Sequence, residues 1–419
     1  MNTLNRRCRN GSILAAGLAV LLSIAGTEAV GQETGNGWPD WLVEAMGQES
    51  LMMRARKVDL GDGVINTRLA GKPAADPQPT PDGWYLTRDI GTASPLECWA
   101  FTTTVDPATM ASNIAEQSML ASEQVNGPLG DRNLYFVDAG AYGGAPYVAL
   151  EWFYSVGEPP NKLVGLAKVR VAVRDDYSFA CAHNFLGYRQ TFALAFEQFV
   201  REAKFDSGAT SPYYEEVVVQ RIGEQIIGVS RSSFTLDSEG DTQIELMETS
   251  LMPVDGSTLS TSDTWYSGWS RPDGTLINQR VAKSENGEVT MNLALDPLED
   301  GVWLVSGTLQ GKEIDQEING TAEPVSELGQ MLTVQALMAD PSRKLANLSV
   351  WVPAADPTQF LQAEVALDPK GRDGRGRLTM GPLSIAAQFD PSGSLVTGAL
   401  QAGAAEMVLD RIWIRGTPP

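Results

Sequence analysis

Arg271-Pro-Asp-Gly-Thr-Leu-Ile-Asn-Gln-Arg-Val-Ala-Lys-Ser-Glu-Asn-Gly-Glu-Val-Thr-Met-Asn-Leu-Ala-Leu295 decides the architecture of the C-terminal half of this 419-residue chain. Pro272 fixes φ and Gly274 accepts a positive φ, so the opening residues form a tight turn. Asn286-Gly287 is the strongest two-residue hairpin signal in the chain. It separates Arg280–Lys283 from Val289–Leu295, two runs that read as paired strands. The same grammar repeats outward. Val217–Ile222, Gln225–Arg231, Gln243–Met252 and Ser257–Ser267 come before. Leu348–Val352, Gln362–Leu367, Leu378–Gln388, Ser394–Leu400 and Glu406–Ile414 follow. Glu299-Asp-Gly301 and Gln310-Gly311 supply further turns, and one helix interrupts over Pro324–Met338, carrying Leu328, Met331, Leu332 and Leu337. Many short strands around one helix predict a β-rich curved sheet or incomplete barrel over residues 213–419.

Upstream, Asp206 to Pro212 is rich in Ser, Gly and Thr and reads as a linker, 206–212. Residues 30–205 form a different pattern. A helix is expected over 37–57, where Trp41, Leu42, Ala45 and Met46 recur at helical spacing. Lys72 to Gly83, with four prolines, is expected to be a loop without regular structure. Strands are expected at Trp84–Thr87 and Leu96–Thr103. Asp106-Pro107 opens a helix whose buried stripe would be Met110, Ile114, Met119 and Leu120. Three or four strands follow, around Asn133–Asp138, Pro146–Ser155, Leu163–Val173 and Tyr177–His183. Gln190 to Lys204 is then the clearest helix, with Phe192, Leu194, Ala195, Phe196, Phe199 and Val200 on one broad face. Helices flanking an antiparallel sheet make this an α+β domain, and the chain as a whole an α+β protein.

The first 29 residues predict the compartment. Arg6, Arg7 and Arg9 precede an uncharged run, Ser12 to Gly26, and Thr27-Glu-Ala29 offers a small-residue cleavage site. Positive flank, short apolar core and small exit are the parts of a secretory signal peptide, 1–29. The run is too short to span a bilayer, which needs about 20 residues. Arg6-Arg7 also leaves twin-arginine export open, although Cys8 and Arg9 follow the pair instead of an apolar residue. An exported, periplasmic or secreted protein without stable membrane insertion is therefore expected.

The formal net charge of −21, from 31 basic and 52 acidic residues, repels phosphate backbones and argues against nucleic-acid binding. Of three cysteines, Cys8 falls in the signal segment, so Cys98 and Cys181 are expected to form one disulfide. The chain has one histidine, His183, two residues after Cys181. A triad or a histidine-based zinc site would have to use it, and no further Cys or His supplies the missing ligands. The residues lead to no expected cofactor or metal, and the oxygen-rich turns Asp237–Asp241 and Asp368–Gly374 lack the full calcium-loop pattern. Paired carboxylates, the one catalytic set still open, could come from any of many acids. Trp265-Tyr-Ser-Gly-Trp269 is the aromatic cluster most open to a ligand-binding reading, through Trp265, Tyr266 and Trp269.

Two resemblances accompany these readings. The phrases Pro272-Asp-Gly-Thr-Leu276 and Asp390-Pro-Ser-Gly-Ser-Leu395, with the closing Met407-Val-Leu-Asp-Arg-Ile412 strand, give residues 210–419 a resemblance to LolA-like periplasmic half-barrels. That resemblance implies a concave sheet face sheltering an acyl chain. The order of elements over 37–205 resembles the PsbP-like fold, a periplasmic and lumenal binding scaffold. The expected function is non-enzymatic binding of a lipid or other apolar ligand, or of an envelope protein, through sheet surfaces. A secreted hydrolase using paired carboxylates and a structural envelope assembly factor are the alternatives.

Overall fold

The computed structural model describes residues 39–50, 54–205, 211–299, 301–320, 323–340, 342–368, 373–381, 383–402 and 405–417. The expected signal peptide and residues 206–210 of the expected linker lie outside them. The chain divides into two compact units: Glu28–Ala209 with Leu251–Thr261, and Thr210–Ser250 with Ser262–Pro419. The protein is α+β and rich in strand.

The N-terminal unit contains helices α1 (Asp40–Met46), α2 (Pro107–Asn126) and α3 (Arg189–Arg201). Its strands are β1 (Ala55–Leu60), β2 (Ile65–Ala70), β3 (Lys72–Pro73), β4 (Gln78–Thr80), β5 (Gly83–Asp89) and β6 (Leu96–Phe101). They continue with β7 (Leu129–Tyr142), β8 (Ala145–Val156), β9 (Leu163–Arg174), β10 (Tyr177–Asn184) and β11 (Lys204–Phe205). The main sheet runs β3-β5-β6-β10-β9-β8-β7, with β4 also on β5, and a small sheet runs β1-β2-β11. Between them α3 buries Phe192, Phe196 and Phe199 against Leu60, Leu69, Leu96 and Phe179, whereas Leu194, expected on the same face, is exposed because it lies off the buried stripe of the helix.

Three further expectations are corrected here. The helix expected over 37–57 is only α1, because Ala55 onward pairs as β1 with β2. The stretch Lys72–Gly83 holds two short strands, β3 and β4, both on β5, where edge positions tolerate proline. The buried stripe of α2 is Ala108, Ala111, Ala115 and Met119. Small residues bring that helix close to the sheet, and Met110, Ile114 and Leu120 stay half-buried.

The C-terminal unit is one unclosed, curved antiparallel sheet of fourteen strands. In chain order they are β12 (Tyr214–Ile222), β13 (Gln225–Leu236), β14 (Thr242–Asp255), β15 (Thr258–Ser270), β16 (Leu276–Glu285), β17 (Glu288–Glu299), β18 (Val302–Leu309) and β19 (Lys312–Asn319). Helix α4 (Glu327–Ala339) follows, then β20 (Leu345–Trp351), β21 (Phe360–Leu367), β22 (Arg375–Met380), β23 (Leu383–Phe389), β24 (Leu395–Ala402) and β25 (Ala405–Gly416). The first series meanders outward from β12 to the edge β19. Through α4 the chain reaches the opposite edge, β20, and the second series meanders back until β25 pairs with β12. Trp303 of β18 meets Phe360 of β21 edge-on, centroids 5.9 Å apart, so strands near opposite edges touch. Asn286 and Gly287, at φ 52° and 81°, make the β16–β17 turn that two successive positive φ values require.

Candidate functional site

The inner face of this sheet is defined by α4. Leu328 and Met331 pack on Tyr214, Phe234 and Ile244 of β12, β13 and β14. Strand alternation then places Glu216, Val218 and Gln220 on the same face as Tyr214. Opposite Glu216 and Val218 on β13 stand Ser232 and Ser230, and opposite Ser230 on β14 stands Glu248. The inner face therefore mixes apolar Tyr214, Phe234, Ile244 and Val218 with buried Glu216, Gln220, Ser230, Ser232 and Glu248 along β12–β14, and is apolar on the strands that follow α4, where Val365, Leu378, Phe389 and Leu400 are buried.

The entry to α4 fixes its position. Ser326 caps the helix by accepting from Gly329 N at 3.2 Å, and its own N–H donates to Gly274 O at 2.9 Å. Leu276 N donates to Pro324 O (2.9 Å) and Val325 N to Ser349 O (2.8 Å), so three residues bridge the start of β16 to β20. Gly274, at φ +87°, approaches so closely that a Cβ there would lie 2.2 Å from Gly329 Cα. Both positions need glycine because two backbones meet at them.

Two polar clusters stand on the inner face. In the first, Glu216 accepts from the Tyr214 hydroxyl (2.7 Å) and from Ser394 Oγ (2.5 Å), with Arg411 3.7 Å away. Arg411 itself donates to Asp390 at 2.7 Å. Burial raises the Glu216 carboxyl above its ordinary value, against the opposing pull of Ser394, Tyr214 and Arg411. In the second, Glu248 Oε1 accepts from Gln220 Nε2 at 2.5 Å, while its Oε2 has no partner among the described residues. Burial pushes Glu248 up to about 7, with Gln220 and the Lys283 ammonium opposing. Lys283 is ion-paired to Glu285. Gly228 makes room for this arrangement: a Cβ there would lie 3.1 Å from Gln220 Oε1.

Between α4 and β21–β24 lies a cavity of ≈ 30 Å³. Glu216, Glu327 and Ser394 line its polar end and Met331, Leu378 and Phe389 its apolar end. That space holds a water or two, whereas pockets for organic ligands run to roughly 300 Å³ or more. Among the described residues, the buried Leu328, Met331 and Val334 of α4 fill this part of the inner face.

The residues singled out in the sequence are distributed as follows. Tyr266 is fully buried, its hydroxyl held above the usual tyrosine range by burial and by the charges of Glu248 and Glu327, so it belongs to the inner face. Trp265 and Trp269 alternate with it on β15, opposite Ala282 and Asn278, and stand half-buried on the outer face. The three are not brought together. Cys98 and Cys181 sit directly opposite on β6 and β10 and are joined, Cα to Cα 4.1 Å.

His183 is buried among Phe185, Tyr188 and Phe192, its Nε2 3.0 Å from Thr92 Oγ1. Burial and the neighbouring Lys168 push it down to about 3. Lys168, opposite His183 in the sheet, donates to Gly187 O (2.7 Å) and to Phe185 O, and burial lowers it to about 7. Among the described residues no group of three or more His, Cys, Asp or Glu is placed to hold a metal ion, and no helix is long and apolar enough to cross a membrane.

Sequence reasoning missed Glu216, Gln220, Glu248 and Lys283. Glu216 and Gln220 leave a trace as polar residues recurring at the inward phase of β12, where Tyr214 and Val218 mark the face.

No family model matches the chain, and no curated protein does. Several solved structures are similar to parts of it, three of them as follows. A cyanobacterial PsbP (CyanoP) from Synechocystis is 12% identical and covers 38% of this chain and 98% of its own, with TM-score 0.24. A DUF1089 family protein from Pseudomonas aeruginosa is 14% identical and covers 46% and 93%, with TM-score 0.22. A beta-barrel-like protein of a domain of unknown function, DUF1849, from Brucella abortus is 12% identical over 50% of this chain and 99% of its own, with TM-score 0.37.

Proposed function

We propose that this is an exported, non-enzymatic protein that acts on an envelope protein through the surfaces of its sheets. The observation that carries the proposal is the packing of α4 onto the inner face of the fourteen-stranded sheet. Leu328, Met331, Val334 and Leu337 of α4 are buried, and the space beside them is ≈ 30 Å³. An acyl chain, at about 0.8 kcal/mol per buried methylene, would need a groove that these side chains already occupy. Binding then falls to the outward surfaces, where Trp265 and Trp269 lie half-buried. The paired-carboxylate alternative draws on Glu216 and Glu327, which line the same cavity, but a glycoside or ester has no room between them. Export is supported by the disulfide joining Cys98 and Cys181, a bond that persists in oxidising compartments.

The test has two arms. Native mass spectrometry of the purified protein is expected to give the mass of the bare polypeptide. A photoreactive residue at position 265 or 269 is expected to yield one discrete envelope-protein adduct in cells. A stoichiometric co-purified amphiphile would sink the proposal in favour of a carrier.

A further inference from the structure

The two edges of the fourteen-stranded sheet differ. β20 is partly covered, since Val325 N donates to Ser349 O across its open side. β19 pairs with β18 in unbroken register over eight residues and, among the described residues, with no other strand. All of it except Ile314 and Ile318 is exposed in the whole chain. A long free edge is a template for any extended segment, and proteins blunt such edges against unwanted pairing with prolines, bulges or charged side chains. β19 has neither proline nor bulge.

What it has instead is Glu313, Asp315 and Glu317 at alternate positions, all on the outer face, roughly 7 Å apart. Across from them on β18 stand Thr308, Ser306 and Leu304, none of them cationic. Some acids elsewhere on the sheet are matched, Glu215 by Arg231 and Arg415, Asp296 by Arg280 and Asp410 by Arg221. Among the described residues the three carboxylates of β19 have no cation within ion-pair distance. Pairing two copies of this strand would set carboxylate near carboxylate, so the charge rejects self-association and selects its opposite.

Resting on the reading that the sheet surfaces meet an envelope partner, we infer that β19 is a docking edge for an extended basic segment of that partner. The segment carries Lys or Arg at alternate positions. It adds as a further antiparallel or parallel strand through main-chain hydrogen bonds, which supply affinity, while its cations meet Glu313, Asp315 and Glu317 and supply selectivity. Its intervening side chains fall on the opposite face, beside half-buried Ile314.

The probe is an eight-residue peptide alternating lysine and valine, titrated into the full chain and read by fluorescence anisotropy. It is expected to bind, less tightly as salt is added. Two controls are expected not to bind: a peptide alternating glutamate and valine, and a lysine peptide of equal charge interrupted by proline, which cannot pair as a strand. E313Q/D315Q/E317Q is expected to weaken the lysine peptide about tenfold. E313K/D315K/E317K is expected to exchange preference for the glutamate peptide. Circular dichroism confirms that both variants fold. No binding to the parent, equal binding of the proline-interrupted peptide, or unchanged affinity in the charge-reversed variant overturns the edge proposal. If the edge is silent while crosslinking from 265 or 269 still captures a partner, only this inference falls. A co-purified amphiphile instead removes the broader reading, whatever the peptide does.

Discussion

Glu248 holds the least compensated charge on the inner face. Its folded value, about 7, lies above the 4.5 of an ordinary glutamate, because burial disfavours the carboxylate more than Gln220 and Lys283 favour it. The folded state therefore holds the proton more tightly than the unfolded chain. This contribution is fully present below pH 4.5 and is lost as pH rises through about 7. Over that window it amounts to roughly 3 kcal/mol. Urea denaturation at pH 4.5 and pH 8 is expected to give E248Q a relative gain of about that size at the higher pH, and parallel profiles for the two proteins would remove the argument. At this scale little was legible. Trp265 and Trp269 attract the eye as aromatics, yet Tyr266 between them is the residue that faces the polar interior. Glu216 and Glu248 belong to no motif. Their meaning comes from neighbours across the sheet, and that pairing has no local code.

Helix α3 illustrates what an element keeps hidden. Its apolar face could be read directly from Phe192, Phe196 and Phe199 at helical spacing. Its start, expected at Gln190, lies at Arg189, but what caps it could not be read. Tyr188 at the N-cap has a left-handed backbone and makes no side-chain cap. The orphan N–H groups of Gln190 and Thr191 instead donate to the Glu49 carboxylate at 2.8 Å each, and Thr191 Oγ1 donates to it at 2.7 Å. The donor and acceptor are 141 residues apart for Gln190, so no capping pattern could announce the pair. E49A is expected to cost about 1 kcal/mol, the usual loss for a helix cap, read as a lower thermal midpoint with unchanged helical circular dichroism. Helix α4 was legible for the opposite reason: Ser326 caps it from the adjacent position, and the expected Pro324–Met338 overlaps the observed Glu327–Ala339 closely. Gly329 was not legible as a contact point. G329A would press a Cβ to 2.4 Å from Gly274 O. It is expected to destabilise the C-terminal unit by about 1–3 kcal/mol, the range for forced overpacking, measured by urea denaturation.

Across the whole molecule, the two units carry buried ionisable groups of opposite habit. In the N-terminal unit, burial lowers Lys168 to about 7 and His183 to about 3. Both are bases whose folded values lie below their unfolded ones, so each binds its proton less in the folded state. His183 adds stability as pH rises from 3 to 6.5, and Lys168 as pH rises from 7 to 10.5. In the C-terminal unit Glu248 and Glu216, both raised, act in the other direction. Heating the protein at pH 5 and at pH 8 is expected to move two transitions oppositely. The one assigned to Glu28–Ala209 should rise with pH and the one assigned to the fourteen-stranded sheet should fall. Limited proteolysis with peptide mass mapping during heating tells them apart, and a common trend would count against the buried charges as its cause.

β12 and β25 run side by side, with Tyr214 across from Gly416, although they open and close the sheet in chain order. A polypeptide whose extremities already meet tolerates being cut and rejoined elsewhere. Splicing Gly416 to Tyr213 with a few flexible residues, and breaking the chain between Asn286 and Gly287, would retain every strand neighbour in a rearranged order. The permuted C-terminal unit would then be assembled with β17 first and β16 last, so the gene's reading direction and the sheet's geometry are separable.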